Sequence, residues 1–444
     1  MASSARRADV LVIGAGMAGV TAAQSLRQFD EDLEVIVLEG RPDRIGGRIW
    51  SSYEWPEAPI DLGASWVSHL TINPLGAVAK ENGIELCDSD LFNIHLTQGN
   101  GRALTEKETN ATMMRFFGVY AEVKCRAEER RESGKRDIDA GREFARALDK
   151  LKLPKQKRRN VEFFLNMSVA DANGADLDQL SLYEWDDHYV EIMLEAAVVP
   201  QGYVKILDAM AEGLDIRLDH AVSRICYDKK GVTVETNHGK FRAAYAVVTL
   251  PHPVLASDAV EFSPRLPDWK RKAIRNVGVG LADKFWFLFK KCWWKWDKDF
   301  LGRVDEKGEG RWSTWLNFHH YKKDLPLLMC FNRTEHALAL EKMTDDEVID
   351  EALEVLRNAY GSSVPRPLRM KRSMWHADPF ARGTIPNIPV GSSTSVYNTL
   401  GRPVGRLRFA GDSTIREFNG LVFGAFLSGA REAGKLLPLL YGVS

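Results

Sequence analysis

The sequence has few cysteines, no long apolar run and almost no net charge. Its 444 residues include five cysteines without a C-x-x-C pair, so we expect free thiols in a reducing compartment. No stretch approaches the roughly 18 apolar residues of a membrane span, so we expect no membrane association. The net charge of −1 gives no reason to expect a nucleic acid as a partner.

Common arrangements of catalytic side chains are also missing. The histidines are scattered without metal-ligand spacing, and no serine–histidine–aspartate set is visible, so we expect no metal ion. We find no targeting signal at either end, which makes the cytoplasm the expected location. Hydrophobic residues make up 45% and charged residues 27% of the sequence, as in ordinary globular proteins, and the length favours two domains.

The strongest pattern is a strand, a glycine-rich turn and a helix near the N-terminus. Residues 10–13 are apolar and predict a buried strand. The turn that follows has the spacing G-x-G-x-x-G, formed by Gly14, Gly16 and Gly19. The first glycine allows a tight turn, the second lets the backbone approach a pyrophosphate, and the third lets the helix pack against the strand.

An acidic residue follows at the distance that nucleotide binding requires. The apolar run 33–38 predicts a second strand, and Glu39 stands at its end, about twenty residues after Gly19. A carboxylate in that position accepts hydrogen bonds from a ribose. These features predict a dinucleotide-binding unit, and they do not distinguish NAD from FAD.

Three further motifs follow along the chain. Gly46-Gly47-Arg48 follows the acid, D-L-G-A-S-W occupies residues 61–66, and Gly411-Asp412 precedes a helix rich in small residues. In this order the motifs resemble the flavin-containing amine oxidase superfamily, nearest the polyamine oxidase branch, over essentially the whole chain. The resemblance implies FAD. Since no cysteine comes shortly after Gly383, where flavinylated members carry one, we expect the FAD to be non-covalent.

The resemblance also implies the fold. We expect an α/β protein in which a Rossmann-type FAD-binding domain is interleaved with an α+β substrate-binding domain made of a mixed sheet and helices. The FAD-binding domain is expected to comprise residues 1–85, 200–260 and 385–444, and the substrate-binding domain residues 86–199 and 261–384.

Cofactor contacts are carried over only onto positions that match the family motifs. They are Gly14, Gly16, Met17, Ala18, Gly19, Glu39, Gly40, Arg41, Gly46, Gly47, Arg48, Gly63, Ala64, Ser65, Trp66, Val222, Thr249, Trp375, Gly383, Gly411, Asp412, Gly420, Leu421 and Val422. The resemblance implies that Val222 meets the adenine through its backbone and that Thr249 lies near the pyrophosphate.

Two residues are expected to be catalytic, Lys284 and Trp375. Lys284 interrupts the apolar run 282–289, which predicts a strand, and spacing alone favours a lysine that reaches solvent from an edge strand. The resemblance instead implies that Lys284 holds a water against the flavin N5 atom and that Trp375 lies near the flavin. A positive charge there also favours the reaction of reduced flavin with oxygen.

The acidic run 184–195, which lacks lysine and arginine, has two interpretations. It is an exposed acidic helix end, or it attracts a cationic substrate, in which case Glu184 and Asp187 contact that substrate. Two positions depart from branches of the superfamily: Ser68 stands where polyamine oxidases commonly carry an acid or histidine, and Leu421 stands where monoamine oxidases have an aromatic residue. The further expected substrate contacts are Ser68, His69 beside it, Phe418 as an aromatic wall, and Leu421.

The function implied is that of an FAD-dependent amine oxidase. A hydride passes from the carbon next to an amine to flavin N5, the imine hydrolyses to an aldehyde, and O2 is reduced to H2O2. We expect a small, polyamine-like amine and O2 as partners. An L-amino acid oxidase or a monoamine oxidase of the same superfamily is the alternative, although we can place no arginine for a substrate carboxylate.

Three functions of other kinds are also considered. A flavin histone demethylase or chromatin-binding protein would need helical insertions or a DNA-binding domain, for which 444 residues leave no room. A flavin desaturase or porphyrinogen-type oxidase would favour membrane-binding apolar helices and a cavity without acids. A non-catalytic FAD-binding protein is disfavoured because Lys284 and Trp375 are both retained.

Overall fold

The structure is a computed structural model that describes residues 6–186, 195–295 and 297–442. Asp187, an expected substrate contact, lies outside the described residues. All five cysteines are free. Among the residues described, no helix combines the length and apolar character needed to cross a membrane, and no cluster of side chains suits a metal ion.

The described residues form both helices and strands, in several runs of one kind. The helices are α1 (Met17–Phe29), α2 (Pro74–Glu81), α3 (Glu106–Glu132), α4 (Ala140–Lys150), α5 (Lys155–Leu165), a π-helix (Asn166–Ala170), α6 (Asp171–Asn173), α7 (Val204–Ala211), α8 (His252–Ala256), α9 (Asp268–Arg275), α10 (Phe318–Tyr321), α11 (Thr334–Glu341), α12 (Asp345–Tyr360), α13 (Ser395–Gly401) and α14 (Val422–Leu440). The strands are β1 (Arg6–Ile13), β2 (Val35–Leu38), β3 (Ser51–Ser52), β4 (Ile60–Asp61), β5 (Trp66–Ser68), β6 (Cys87–Ser89), β7 (Ile94–Thr97), β8 (Ala196–Val198), β9 (Asp215–Arg217), β10 (Val222–Tyr227), β11 (Val232–Thr236), β12 (Gly239–Val248), β13 (Glu261–Ser263), β14 (Gly278–Gly280), β15 (Ala282–Leu288), β16 (Phe300–Arg303), β17 (Thr314–Asn317), β18 (Leu327–Arg333), β19 (Arg369–Arg372), β20 (Ile385–Asn387) and β21 (Leu407–Phe409).

The first large sheet is built around β1. Its strand order is β13-β10-β11-β12-β1-β2-β9, and β21 also pairs with β12. β1 runs parallel to both β2 and β12. Val10 and Val12 lie in the core shared with α1 and α14, whereas Leu11 and Ile13 lie in the core shared with α13. Because both faces are covered, this strand is a continuous apolar run rather than an alternating one.

The second large sheet has the order β19-β15-β18-β17-β16-β7. β7 and β16 are parallel and the other pairs antiparallel, so the sheet is mixed. Alternate residues of β15 face opposite sides. Trp286 and Leu288 pack in the core that includes α3, α4 and α5, while Phe285 and Phe287 pack in the core that includes α12. The predicted α/β fold with a mixed sheet and helices is confirmed.

The first large sheet takes up residues beyond the boundary predicted at residue 260. β13 pairs with β10. Ala273 and Ile274 of α9 pack in the same core as Tyr397 of α13. Val277 belongs to this core too, so residues up to 277 pack with the first sheet. The division into an FAD-binding and a substrate-binding domain itself stays a prediction.

The N-termini of α3 and α12 are fixed by local sequence. Thr105 and Thr344 precede α3 and α12, and each forms a capping box with the glutamate three residues later, Glu108 or Glu347. α12 coincides with the amphipathic helix that the apolar spacing of residues 345–360 predicts.

Candidate active site

The glycine-rich turn after β1 packs tightly against α1 at Gly19 and leaves its backbone accessible at Gly16. Gly14 has a φ of +103°, in the region that favours glycine. A Cβ on Gly19 would lie 2.0 Å from the Gly14 carbonyl oxygen, so α1 can approach the turn only because residue 19 is glycine. A Cβ on Gly16 would meet nothing nearer than the Gly46 oxygen at 3.7 Å. The backbone at Gly16 is therefore open to a ligand.

Two helices begin at this opening without a side-chain cap. The N-cap of α1 is Gly16 and that of α14 is Leu421, and neither side chain caps its helix. Met17 and Val422, the first residues of the two helices, belong to the same core. Uncapped helix N-termini offer free N–H groups and the positive end of the helix dipole. They therefore suit a pyrophosphate.

Glu39 is buried at the end of β2, with 5% of its surface exposed. Its Oε2 accepts a hydrogen bond from the Ala15 amide at 2.8 Å, and its Oε1 accepts one from the Arg41 amide at 3.0 Å. A carboxylate has about four acceptor positions, so further hydrogen bonds from ribose hydroxyls can be accommodated.

Arg41 is held by two residues from a distant part of the chain. Its guanidinium is 2.8 Å from the Asp378 carboxylate and lies 5.3 Å from the centre of the Phe380 ring. The same ring covers Gly40, where a Cβ would lie 2.5 Å from a ring carbon. Sequence reasoning assigned no role to Asp378 or Phe380, although both belong to the D-P-F run that follows Trp375.

The second half of the cofactor site comes from the turn after β2 and the turn after β21. The Gly46 amide donates to the Ala15 carbonyl at 2.9 Å. Arg48 forms an ion pair with Asp412. Gly411 has a φ of +136°, and a Cβ there would meet no atom within 4 Å. We call residues 14–19, 39–41, 46–48 and 411–412 the cofactor cradle.

Three further expected cofactor residues lie at strand ends. Thr249 follows β12, and its Oγ1 donates to the Ile13 carbonyl at 2.8 Å, directly below the glycine turn. Val222 begins β10, next to a register irregularity in its pairing with β11. Gly383 has a φ of +144° and donates to the Trp375 carbonyl at 3.0 Å.

Lys284 is buried on an inner strand. β15 lies between β18 and β19, and only 6% of the lysine is exposed. Its Nζ donates to the Gly63 carbonyl and to Ser65 Oγ. The rings of Trp66 and Phe331 lie 5.1 and 5.5 Å from Nζ. The edge-strand interpretation of Lys284 is wrong, because β19 pairs with the side of β15 that would otherwise be open.

Burial changes the protonation of Lys284 and of a nearby carboxylate. It lowers the pKa of Lys284 to about 7, against the opposing effect of the Asp61 charge. Burial raises the pKa of Asp61 to about 6, although Ser51 donates a hydrogen bond to it. Sequence reasoning gave Asp61 no role of its own. Its importance follows from its proximity to Lys284, which is distant in sequence.

Residues 63–66, which accept the hydrogen bonds of the Lys284 ammonium, also contact the cradle. The Ala64 amide donates to the Arg48 carbonyl at 3.1 Å. A Cβ on Gly63 would lie 1.9 Å from the same oxygen, so only glycine fits there. Residues 63–66 therefore bring the predicted catalytic lysine of the second sheet against the predicted cofactor turn of the first.

Trp375 is buried beside the same segment. It is 3% exposed, and its Nε1 donates to the Leu62 carbonyl at 3.1 Å. Its ring packs edge-on against Trp50, with 6.0 Å between ring centres. Arg44 lies 4.7 Å above the Trp50 ring and donates to the Gly47 carbonyl at 2.9 Å. Trp50 and Arg44, which sequence reasoning missed, thus connect Trp375 to the cradle.

Two of the expected substrate contacts form an aromatic group with Phe423. The His69 ring packs edge-on against Phe418 with 4.9 Å between centres, and Phe418 packs against Phe423 at 4.4 Å. Ser68 is buried at the end of β5, where its carbonyl accepts a hydrogen bond from Asn73 at 2.8 Å.

Two other expected contacts, Glu184 and Leu421, line one pocket together with Trp185 and Gly420. Thr394 donates to the Glu184 carboxylate at 3.0 Å. Ser68, His69 and Phe418 are not among the described residues that line this pocket. The structure therefore places the expected substrate residues in two groups.

The rest of the acidic run divides between the two interpretations. Asp186 lies 2.9 Å from Lys124 of α3, which favours ordinary surface pairing. Glu195 accepts a hydrogen bond from Thr71 at 2.9 Å in an exposed position. Only Glu184, of the acidic residues that the structure describes here, lines the pocket.

The cradle fits a flavin dinucleotide. It has open backbone at Gly16 and Gly411, two uncapped helix N-termini for a pyrophosphate, and the Glu39 carboxylate for a ribose. The fold and site define a dinucleotide-binding α/β protein with a second sheet that brings a buried lysine to the cradle. The chain belongs to the flavin-containing amine oxidoreductase family, whose model matches residues 17–437. FAD is therefore its cofactor.

The similar curated proteins include polyamine oxidases and homologues of a lysine-specific histone demethylase. Polyamine oxidase 2 of Arabidopsis thaliana is 31% identical, with 96% of this chain and 88% of that protein covered. Lysine-specific histone demethylase 1 homolog 2 of Oryza sativa subsp. japonica is also 31% identical, with 97% of this chain but 57% of that protein covered. The chain thus spans little more than half the length of that demethylase homologue.

Solved structures agree with the fold. Wild-type putrescine oxidase bound to putrescine superposes with a TM-score of 0.79 at 19% identity, covering 98% of this chain and 100% of that chain. At this identity the similarity shows that the two chains share a fold.

Proposed function

We propose that the protein is an FAD-dependent amine oxidase that acts on a small, polyamine-like amine, with O2 as electron acceptor and H2O2 as product. The observation that carries the proposal is the burial of Lys284 against residues 63–66, which also contact the cradle. Bound FAD supplies the redox chemistry, taking a hydride from the carbon next to the amine and passing the electrons to O2.

The cradle residues would hold the cofactor without a covalent bond. The N-termini of α1 and α14 would donate to the pyrophosphate, and Glu39 would accept hydrogen bonds from the ribose. The run from Gly383 to Asn387 contains no cysteine, which supports non-covalent binding.

Lys284 can hold a proton or a water beside the reacting groups. A lysine ammonium has three donors, and two of them are directed to Gly63 and Ser65. The third can bind a water or the substrate. With its pKa lowered to about 7, Lys284 can gain or lose a proton near neutral pH.

Glu184 supports a substrate with a second positive charge. Arg131, 3.6 Å away, has 52% of its side chain exposed. An ion pair with so exposed a partner is weak, so the negative charge of Glu184 remains able to attract an ammonium group in the pocket.

A peroxide-release screen over polyamines, monoamines, L-amino acids and a methyl-lysine peptide tests the substrate class. We expect the largest kcat/KM for a polyamine. Glu184→Gln should raise KM for that polyamine and leave KM for a monoamine unchanged, and Glu195→Gln, at the exposed position, should change neither. Activity restricted to monoamines or amino acids would reject the polyamine substrate.

The methyl-lysine peptide is included because the demethylase homologue and polyamine oxidase 2 are equally identical to this chain. Turnover of the peptide alone would favour a demethylase. Flavin reduction by an amine without peroxide release in air would reject O2 as the acceptor.

We further propose a cytoplasmic location, which the free cysteines support. Imaging of a fluorescent fusion tests it, and accumulation in an organelle would contradict it.

A further inference from the structure

Two carboxyl groups meet beneath the loop that carries Trp375. Asp283 is completely buried on β15, and its Oδ1 accepts hydrogen bonds from the Trp375 amide at 3.0 Å and from Ser373 Oγ at 2.7 Å. Successive residues of a strand face opposite sides, so Asp283 points away from the Lys284 ammonium. The charge of Lys284 therefore does not neutralise Asp283.

Glu341, the last residue of α11, holds the next part of the same loop. Its Oε1 accepts a hydrogen bond from the His376 amide at 2.9 Å, and its Oε2 accepts one from the Ala377 amide at 3.1 Å. The two carboxyl groups therefore bind the consecutive amides of residues 375 and 376, and they also interact directly through a side-chain hydrogen bond. In the part of the chain that the structure describes, neither group has a lysine, arginine or histidine within ion-pair distance.

Two negative charges would be unfavourable at this place. The carboxylates would repel each other, and the second oxygen of Asp283 would be buried without a hydrogen-bond donor. Glu341 ends a helix, where the helix dipole disfavours further negative charge. One proton between the groups removes these costs, because a protonated Asp283 donates to Glu341. Burial, with Glu341 adding to it, raises the pKa of Asp283 well above its ordinary value.

We propose that Asp283 and Glu341 share one proton at neutral pH and act together as positioning residues for Trp375. The pair holds three consecutive amides, 375–377. It also reaches Lys284, because Ser373 Oγ donates to Asp283 and accepts a hydrogen bond from the Lys284 amide at 2.9 Å. The effect of the pair on amine turnover rests on the proposed function, whereas the shared proton does not.

If the two carboxyl groups share one proton, replacing each of them by an amide should have different effects. Asp283→Asn replaces a protonated carboxyl by an amide of the same shape, whose oxygen accepts from Trp375 and Ser373 and whose NH2 group donates to Glu341. We expect its Tm to remain close to that of the wild type. Glu341→Gln replaces one acceptor by a donor that faces a backbone amide, so kcat should fall roughly tenfold or more, with a smaller change in KM.

Asp299→Asn is the matched control. Asp299 is also buried, at 3% exposed, but its partners are donors, among them the Tyr321 hydroxyl at 2.6 Å and the Asp90 amide at 3.0 Å. The side-chain amide of Asn93 donates to the other oxygen of Asp299, so the NH2 group of an asparagine would face a donor in either orientation. We therefore expect Asp299→Asn to lower the Tm by several degrees, whereas Asp283→Asn does not.

Infrared difference spectra between the wild-type holoenzyme and the Asp283→Asn holoenzyme test the proton directly. The wild type should show, at neutral pH, a protonated-carboxyl band that shifts in heavy water and is absent from Asp283→Asn. Absence of that band from the wild type, or a fall in the Tm of Asp283→Asn as large as that of Asp299→Asn, would overturn the inference. A chain that shows the band but oxidises no amine would overturn the proposed function alone.

Discussion

Arg48 and Asp412 form an ion pair although 364 positions separate them in the sequence. Arg48 lies in the turn after β2 and Asp412 in the turn after β21, so the pair joins the two halves of the cofactor cradle. The Arg48 guanidinium also donates to the Thr384 carbonyl, which brings in a third segment. Loss of the Arg48 side chain should therefore affect both folding and cofactor binding.

We expect Arg48→Ala to weaken FAD binding at least tenfold and to lower the free energy of unfolding by about 2 kcal/mol, because charge-assisted hydrogen bonds are lost. Titration with FAD and urea unfolding measure the two effects. Arg366→Ala is the control, since Arg366 pairs with Asp346 and Asp350 at the exposed surface. It should change stability by about 0.5 kcal/mol or less. Similar losses in both variants would contradict the role of Arg48 in joining the two halves of the cofactor cradle.

Lys284→Met should slow the reoxidation of reduced flavin by oxygen at least tenfold and slow flavin reduction much less, because the positive charge is lost and the side-chain volume is kept. Stopped-flow absorbance separates the two steps. Lys270→Met is a suitable control, because Lys270 is equally buried but donates to the Leu400 and Arg402 carbonyls. An unchanged reoxidation rate in Lys284→Met would remove the proposed role of the lysine.

Lys284 should also give stability a defined pH dependence. Burial lowers its pKa in the folded chain to about 7, while an unfolded lysine has a pKa of about 10.4. Between these values the unfolded chain binds more protons, so the contribution of Lys284 to the free energy of unfolding rises with pH. The stability of the wild type relative to Lys284→Met should therefore increase from pH 7 to pH 10. Urea unfolding at several pH values measures it, and a constant difference would contradict the lowered pKa.

Two glycine substitutions should have opposite effects. Gly19→Ala should yield protein without bound flavin, because a Cβ would lie 2.0 Å from the Gly14 oxygen. Gly434→Ala should raise the free energy of unfolding by up to about 1 kcal/mol, since Gly434 lies within α14 and a Cβ there meets no atom within 4 Å. Flavin absorbance and urea unfolding compare them. Flavin retained at the wild-type level by Gly19→Ala would contradict the close approach of α1 to the turn.

Acid precipitation should release free FAD from the yellow protein. The covalent attachment considered for this site needs a cysteine after Gly383, and residues 384–387 contain none. The flavin absorbance of supernatant and pellet measures the release, with free FAD added to flavin-free protein as the control. Flavin that stays with the precipitate would show a covalent bond.

The parts of the fold that depend on local geometry could be predicted residue by residue. Gly14 and Gly19 meet steric conditions set within a few residues, and α12 lies where the apolar spacing places it. β1 includes the predicted residues 10–13 but begins at Arg6. The family and its cofactor followed from the resemblance of the ordered motifs to known flavin-containing amine oxidases, since the local geometry alone indicated only a dinucleotide.

Only the tertiary structure decided which distant groups meet. Spacing favoured an exposed Lys284, but pairing of β15 with both β18 and β19 buries it against Gly63 and Ser65. The proximity of Asp283 to Glu341 was likewise not visible in the sequence. Strand pairing and loop packing bring such residues together across long separations, and burial then changes their charge, so their chemistry depends on the path of the whole chain rather than on the neighbours of each residue.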